Sequence, residues 1–209
     1  LTTIVVISFV TVNAIFLAIV SLVSYNIFFD FTSDEISRSR LALLNESTGR
    51  VSSFISSVKE VGTYIAADRS VRQIFSEEPA SSYDAILEQR ELTELSNELI
   101  TLKEAIDSIE IYTDRYENYP KISGKVLHPL YTLEQESWMK MFDKMDNGWV
   151  PKHTSLTDEA EVISYVHRIT DQKGTTAGYL KINVRADTFF TYMGVEDLVN
   201  NVNEPLILL

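Results

Sequence analysis

Val162-Ile163-Ser164-Tyr165-Val166-His167-Arg168-Ile169-Thr170 and Thr176-Ala177-Gly178-Tyr179-Leu180-Lys181-Ile182-Asn183-Val184 flank Asp171-Gln172-Lys173-Gly174-Thr175. Two runs rich in β-branched and aromatic residues, joined by a short loop with one glycine, predict an antiparallel hairpin. In the second run Leu180, Ile182 and Val184 alternate with Tyr179, Lys181 and Asn183. One face of that strand is therefore apolar and the other mixed. In the first run His167 shares a face with Ile163, Tyr165 and Ile169. A histidine so placed is either a satisfied structural residue or a polar group directed into a pocket.

Moving toward the N-terminus, Asp158, Glu159 and Glu161 form an acidic cluster whose spacing matches no calcium loop, so a solvated loop is expected. Trp149-Val150-Pro151 reads as a short extended piece, and Asn147-Gly148 before it as a turn. Leu133 to Met145 has the pattern of an amphipathic helix carrying Trp138, Met141 and Phe142. The segment from Asp114 to Pro129 lacks periodicity and reads as a loop, and Ile106 to Thr113 alternates as a strand. Tyr83 to Lys103 is helical, with Ile86, Leu92, Leu95, Leu99 and Leu102 as its apolar stripe. A Pro79-Ala80-Ser81-Ser82 break separates it from a longer helical pattern over Thr32 to Ser76. There Leu44, Val51, Val58 and Ile65 recur every seven residues, supported by Leu41, Thr48, Ile55, Phe54 and Val61. Such a seam packs either on its own sheet or on a second copy of the helix. Thr32-Ser33-Asp34-Glu35 could cap its start, unless the preceding helix runs on. Beyond the hairpin, Arg185-Ala186-Asp187 opens a helix to Met193, Asn200 to Pro205 reads as a loop, and Leu206 to Leu209 as the first residues of a strand.

Charge is distributed unevenly. Ile4 to Phe29 contains no Asp, Glu, Lys or Arg, and as a helix it would reach about 39 Å, more than a bilayer core of ~30 Å requires. Tyr25, Phe28 and Phe29 cluster where an aromatic belt would lie. The run is too long for a cleaved signal peptide and has no small-residue cleavage site. A transmembrane helix over residues 1–29 is the expectation. The remainder carries the whole net charge of -12. That argues against nucleic acid as a partner, since phosphate recognition needs clustered Lys and Arg. With no cysteine, disulfides, thiolate-bound zinc and thiol nucleophiles are excluded. His128, His153 and His167 show no metal spacing, and no phosphate loop or nucleophile elbow is present. The chain begins at Leu1 rather than Met, so a fragment of a longer protein is expected.

Glu136-Ser137-Trp138-Met139, Gly148-Trp149-Val150-Pro151-Lys152-His153-Thr154 and the hairpin with Gly178-Tyr179-Leu180-Lys181-Ile182-Asn183-Val184 follow one another behind a membrane helix and a long helix. In this order the chain resembles the double Cache (dCache) sensing region of YesM-like bacterial sensor histidine kinases, across essentially its whole length. The resemblance implies an α+β fold: an N-terminal transmembrane helix continuing into a long helix packed on a PAS-like antiparallel sheet. It divides the chain into a membrane helix (1–29), a stalk helix (30–80), a membrane-distal Cache subdomain (81–203) and the start of a truncated membrane-proximal subdomain (204–209). It implies a soluble part outside the cell membrane and a ligand-sensing role in a two-component system. The implied partners are a small molecule, with carbohydrate as one class, or a substrate-binding protein, with the chain a homodimer. No cofactor is expected, and catalysis would belong to a kinase region elsewhere in the protein. Some double Cache domains grip amino acids through Arg-x-Trp-Tyr. Here Trp138 fits, but Glu136 and Met139 replace the Arg and Tyr, which removes the guanidinium that would hold a carboxylate. The candidate ligand-binding residues are Trp138, Trp149, Tyr165, His167, Tyr179 and Lys181. The alternatives are the sensing region of a methyl-accepting chemoreceptor and a membrane-anchored surface enzyme.

Overall fold

The structure, a computed structural model, describes residues 2–103, 105–121, 126–143, 145–155, 159–171 and 174–193. Asp158, the Gln172-Lys173 part of the hairpin loop, and the loop and strand expected over residues 200–209 lie outside them. Helix α1 spans Thr2–Ala67. By internal packing the chain divides into two units, residues 1–49 and 50–209.

The first unit is helical throughout its described residues. Its apolar part is long enough to cross a membrane by length and composition, and none of it is buried within the protein. The Thr11 hydroxyl and the Asn13 amide each donate to the carbonyl four residues earlier, both at 2.8 Å. Local bonding of this kind satisfies polar side chains in surroundings that offer no water. The helix runs through Thr32-Ser33-Asp34-Glu35 without a cap, and Asp34 instead pairs with Arg38 one turn on.

In the second unit, Phe54, Val58, Val61 and Ile65 of α1 are buried in the main core, at the spacing of one helix face. Of the two packing modes open to the seam, this part takes the one on its own sheet. A Cβ on Gly62 would lie 2.7 Å from the Tyr165 ring, so this glycine permits the close approach of helix to sheet. The helix expected to reach Ser76 stops at Ala67. Asp68 adopts an extended conformation and accepts the Ser70 N–H at 2.8 Å, capping a separate helix α2, Arg69–Ser76. Helix α3, Ser82–Leu102, starts at a Ser81 cap that accepts the Asp84 N–H. Its buried face differs from the expected stripe. Leu92 is buried and Leu95 and Leu99 pack on the core, but Ile86 and Leu102 are 43% and 66% exposed. Ala85, Glu88, Gln89 and Ser96 are buried instead.

The sheet comprises β1 (Ser108–Thr113), β2 (Leu127–Pro129), β3 (Asn147–Thr154), β4 (Glu161–Thr170) and β5 (Thr176–Arg185), in the order β2-β1-β5-β4-β3. All neighbours are antiparallel except β1 and β2. The hairpin forms as its alternation predicts. Three local expectations are corrected. The segment read as a loop before Pro129 holds a 3₁₀ turn, Tyr116–Asn118, and the short parallel strand β2. Asn147-Gly148 opens β3 rather than a turn, because its partners on β4 extend the ladder that far. Leu133 to Met145 is not one helix. Helix α4, Leu130–Glu134, is followed by a 3₁₀ segment, Ser137–Asp143, that turns Trp138 and Phe142 inward and leaves Met141 exposed. A bulge interrupts β3 between Val150 and His153, around Pro151, which has no N–H to give the ladder. Helix α5, Ala186–Tyr192, follows β5.

Both faces of the sheet are covered. Ile109, Ile111, Tyr165, Leu180, Ile182 and Val184 face the helices α1 to α3 in the main core. Tyr112, Val166 and Tyr179 face a second core closed by Leu133, Trp138 and Phe142.

A buried polar network on the outer face of the sheet

The second core contains charge. Glu110 of β1 and Lys181 of β5 stand directly opposite in the antiparallel register. Their side chains are 0% and 1% exposed, and Lys181 Nζ lies 3.4 Å from Glu110 Oε2. Charges taken this far from water persist only when neighbours satisfy them. Glu110 accepts the Tyr112 hydroxyl at 2.6 Å and the Asn183 amide at 2.9 Å. The Asn183 amide also donates to Ser108 Oγ at 2.9 Å, and its carbonyl accepts the Ser164 hydroxyl at 2.5 Å. Burial, then the Glu110 charge, pushes the Tyr112 phenol well above its ordinary pKa.

His153 ends the chain of bonds. Its Nδ1 is 2.9 Å from the Pro151 carbonyl, which can only accept, so Nδ1 carries the hydrogen. Its Nε2 then faces Ser164 Oγ, whose own hydrogen is committed to Asn183, at 3.4 Å. Burial pushes the His153 pKa down, and the Lys181 charge adds to this. The neutral imidazole therefore competes with the Asn183 carbonyl for the one Ser164 hydrogen, and the shorter bond to Asn183 holds it.

Trp138 roofs the network. Its ring centroid is 5.7 Å from that of His153 and 6.0 Å from Lys181 Nζ. Among the described residues Trp138 Nε1 is buried with no hydrogen-bond partner, and Lys181 Nζ has no partner beyond its ion pair with Glu110. The indole N–H costs about 1–3 kcal/mol until an acceptor reaches it, and the ammonium beside it has N–H groups that the single ion pair leaves over.

The six residues expected to line a pocket fall on opposite sides of the sheet. Trp138, Tyr179 and Lys181 lie together on the outer face. Trp149, Tyr165 and His167 lie on the helix-facing side, where the tilted rings of Trp149 and Tyr165 have centroids 5.6 Å apart and those of Tyr165 and His167 6.4 Å apart. Glu110, Tyr112, His153, Ser164 and Asn183 were not foreseen. The sequence signal that could have found them is the polar alternation Ser108, Glu110 on β1 set against Lys181, Asn183 on β5, which the register pairs. Among the described residues no group of acidic or histidine side chains could hold a metal ion.

No protein-family model matches the chain, and no curated protein matches it. Solved structures do. The ligand-binding domain of the Campylobacter jejuni chemoreceptor Tlp3 in complex with L-valine is similar with a TM-score of 0.53 at 13% identity, over 72% of this chain and 60% of that one. The sensor domain of the V. cholerae histidine kinase DctB is similar with a TM-score of 0.53 at 9% identity, over 75% of this chain and 58% of that one. The chain spans about 60% of the length of these two structures. A long N-terminal helix and a five-stranded mixed sheet of this order make the fold of the chain that of the PAS- and Cache-like α+β sensor domains.

Proposed function

We propose that this chain is the extracytoplasmic input region of a bacterial sensor histidine kinase, of the YesM-like double Cache type, anchored through the apolar part of α1. The observation that carries the reading is two buried donors on the outer face of a sensor fold: Trp138 Nε1, without a hydrogen-bond partner among the described residues, and Lys181 Nζ, held there by its Glu110 ion pair alone. A small molecule bringing acceptor oxygens would satisfy both, with Tyr179 and Tyr112 beside it. Such a ligand can shift a conformational balance only by its differential affinity for the two states. Movement of the sheet against Val58, Val61 and Ile65 would be the means by which α1 receives the signal, in a homodimer. Phosphoryl transfer would belong to another part of the polypeptide. Sugars, amino acids and a substrate-binding protein are the ligand classes to separate. The chemoreceptor alternative draws on the Tlp3 likeness, since the same fold serves a chemoreceptor there.

The test is a thermal-shift screen of the full chain in detergent against L-amino acids and mono- and disaccharides, repeated with Trp138→Phe. That variant keeps the ring and loses the N–H. A stabilising compound whose affinity falls about tenfold in Trp138→Phe supports the proposal. A compound that binds the variant equally well, or a screen with no shift, refutes a direct ligand role for this face.

A further inference from the structure

A cleft of about 470 Å³ lies where the end of α1, helix α2 and strand β4 meet, on the opposite side of the sheet from Trp138 and Lys181. This volume falls among those of small-molecule sites, about 300–1,000 Å³. Ala66, Phe75 and Ile169 give it apolar surface, and Thr63, Arg72 and His167 give it polar groups. His167 Nδ1 is buried and has no hydrogen-bond partner among the described residues. Arg72 is exposed and spends only its Nε, on a long 3.4 Å bond to the Ala66 carbonyl. Its remaining guanidinium nitrogens make no ion pair among the described residues. Lys59, one turn before Thr63, is also without an ion pair there, and its charge bears on His167.

Two cations without an ion pair among the described residues, both bearing on this region, run against the character of a chain with net charge -12. The nearby carboxylates are already engaged. Asp171 accepts the Thr175 N–H at 2.8 Å within the hairpin turn, and Asp146 pairs with Arg168. Burial pushes the His167 pKa down, so near neutral pH the ring offers one N–H and one lone pair. The cleft therefore combines a half-open volume, a guanidinium fork and an imidazole nitrogen without a hydrogen-bond partner among the described residues, with Asp171 on its wall already holding the hairpin turn.

We propose that this cleft is a second small-molecule site, taking the oxyanion group of a compact ligand, a carboxylate or a phosphate. The Arg72 fork binds the oxyanion from the rim, and His167 donates through Nδ1–H from the floor. Planar, bidentate recognition of either oxyanion is what a guanidinium does best. A ligand seated there touches α1, α2 and β4 at once and braces the joint at Asp68. The site stands independently of the outer face and of any ligand bound there.

The chain holds three histidines, so ring ¹⁵N spectra of the full chain in detergent give three reporters. Titration uses inorganic phosphate in one arm and succinate in the other. Saturable movement of the His167 ring alone, in either arm, is the expected result, and the responding arm identifies the oxyanion. Arg72→Gln should weaken binding by about tenfold or more, the loss of one charge-assisted contact, while Arg72→Lys keeps the charge without the fork and should fall between. Arg72 is exposed, so the fold tolerates both changes. The proposal is overturned if His167 stays still in both arms, if Arg72→Gln leaves its movement intact, if His128, His153 and His167 drift together as bulk salt would make them, or if His153 responds in place of His167.

Discussion

Removing one member of the Glu110–Lys181 pair should cost far more than removing both. At 3.4 Å and an effective dielectric near 20, their attraction is about 5 kcal/mol. Desolvation of two fully buried charges opposes it, so the net worth of the pair is small. Lys181→Met leaves the Glu110 carboxylate enclosed without its cation, though still accepting from the Tyr112 hydroxyl and the Asn183 amide. Glu110→Gln leaves an ammonium group beneath Trp138 with no counter-charge. Each single change should destabilise by about 3–5 kcal/mol, the usual cost of orphaning a buried charge. The double variant, neutral on both sides, should lose much less than the sum, giving a coupling of about 2 kcal/mol or more. Urea unfolding of the full chain in detergent, followed by tryptophan fluorescence, reads this directly, because Trp138 and Trp149 report from opposite faces of one sheet. Additive losses, with coupling below about 0.5 kcal/mol, would mean that the two groups do not feel each other, and the account of the outer face would fall with them.

Four further outcomes follow from the same geometry. Asp68→Ala removes the cap of α2 and should cost about 1 kcal/mol in urea unfolding, with Asp68→Asn recovering most of it. Gly178→Ala would drive a methyl group into the Tyr112 carbonyl and the Phe75 ring, and should lower stability by about 3 kcal/mol. Tyr119→Phe takes the hydroxyl from the buried Glu88, to which it donates at 2.8 Å, and should cost about 1–3 kcal/mol. His153 and His167 both have pKa values pushed down by burial. The unfolded chain therefore takes up protons first, and stability should hold above about pH 6.5 and fall as the pH drops below it. Melting curves of His153→Gln/His167→Gln should show a flatter acid limb than the parent.

Where one periodicity dominated, the sequence was legible. The hairpin, the strand ending at Thr113 and the helix after Pro79 all form, because alternation and helical spacing each leave one consistent partner face. It was less legible where a single side chain overrides a pattern. Asp68 divides a helix whose apolar spacing continues through Val71 and Ile74, since a carboxylate that answers Ser70 N–H outweighs one turn of propensity. The parallel strand β2 is three residues long and depends on β1 for its existence, a tertiary cause that no local window contains. The candidate site was half visible. Trp138 and Lys181 stood out as an aromatic and a charge in apolar company. Strand parity sets Trp149, Tyr165 and His167 on the other face from them, and parity becomes meaningful only once the neighbours of each face are known.

The strand order has a consequence for how the molecule is made. β5 is the last of the described strands and yet lies between β1 and β4, with Ser108 opposite Asn183 and Ile109 opposite Ile182. Closing that ladder joins segments far apart along the polypeptide, a slow step for which loop entropy must be met before any contact repays it. Until β5 has been synthesised, β1 has only a three-residue neighbour among the described strands, and Glu110 has no lysine. The nascent chain therefore leaves the ribosome with its sheet unassembled, and completion of the fold is timed by arrival of the Tyr179–Val184 segment.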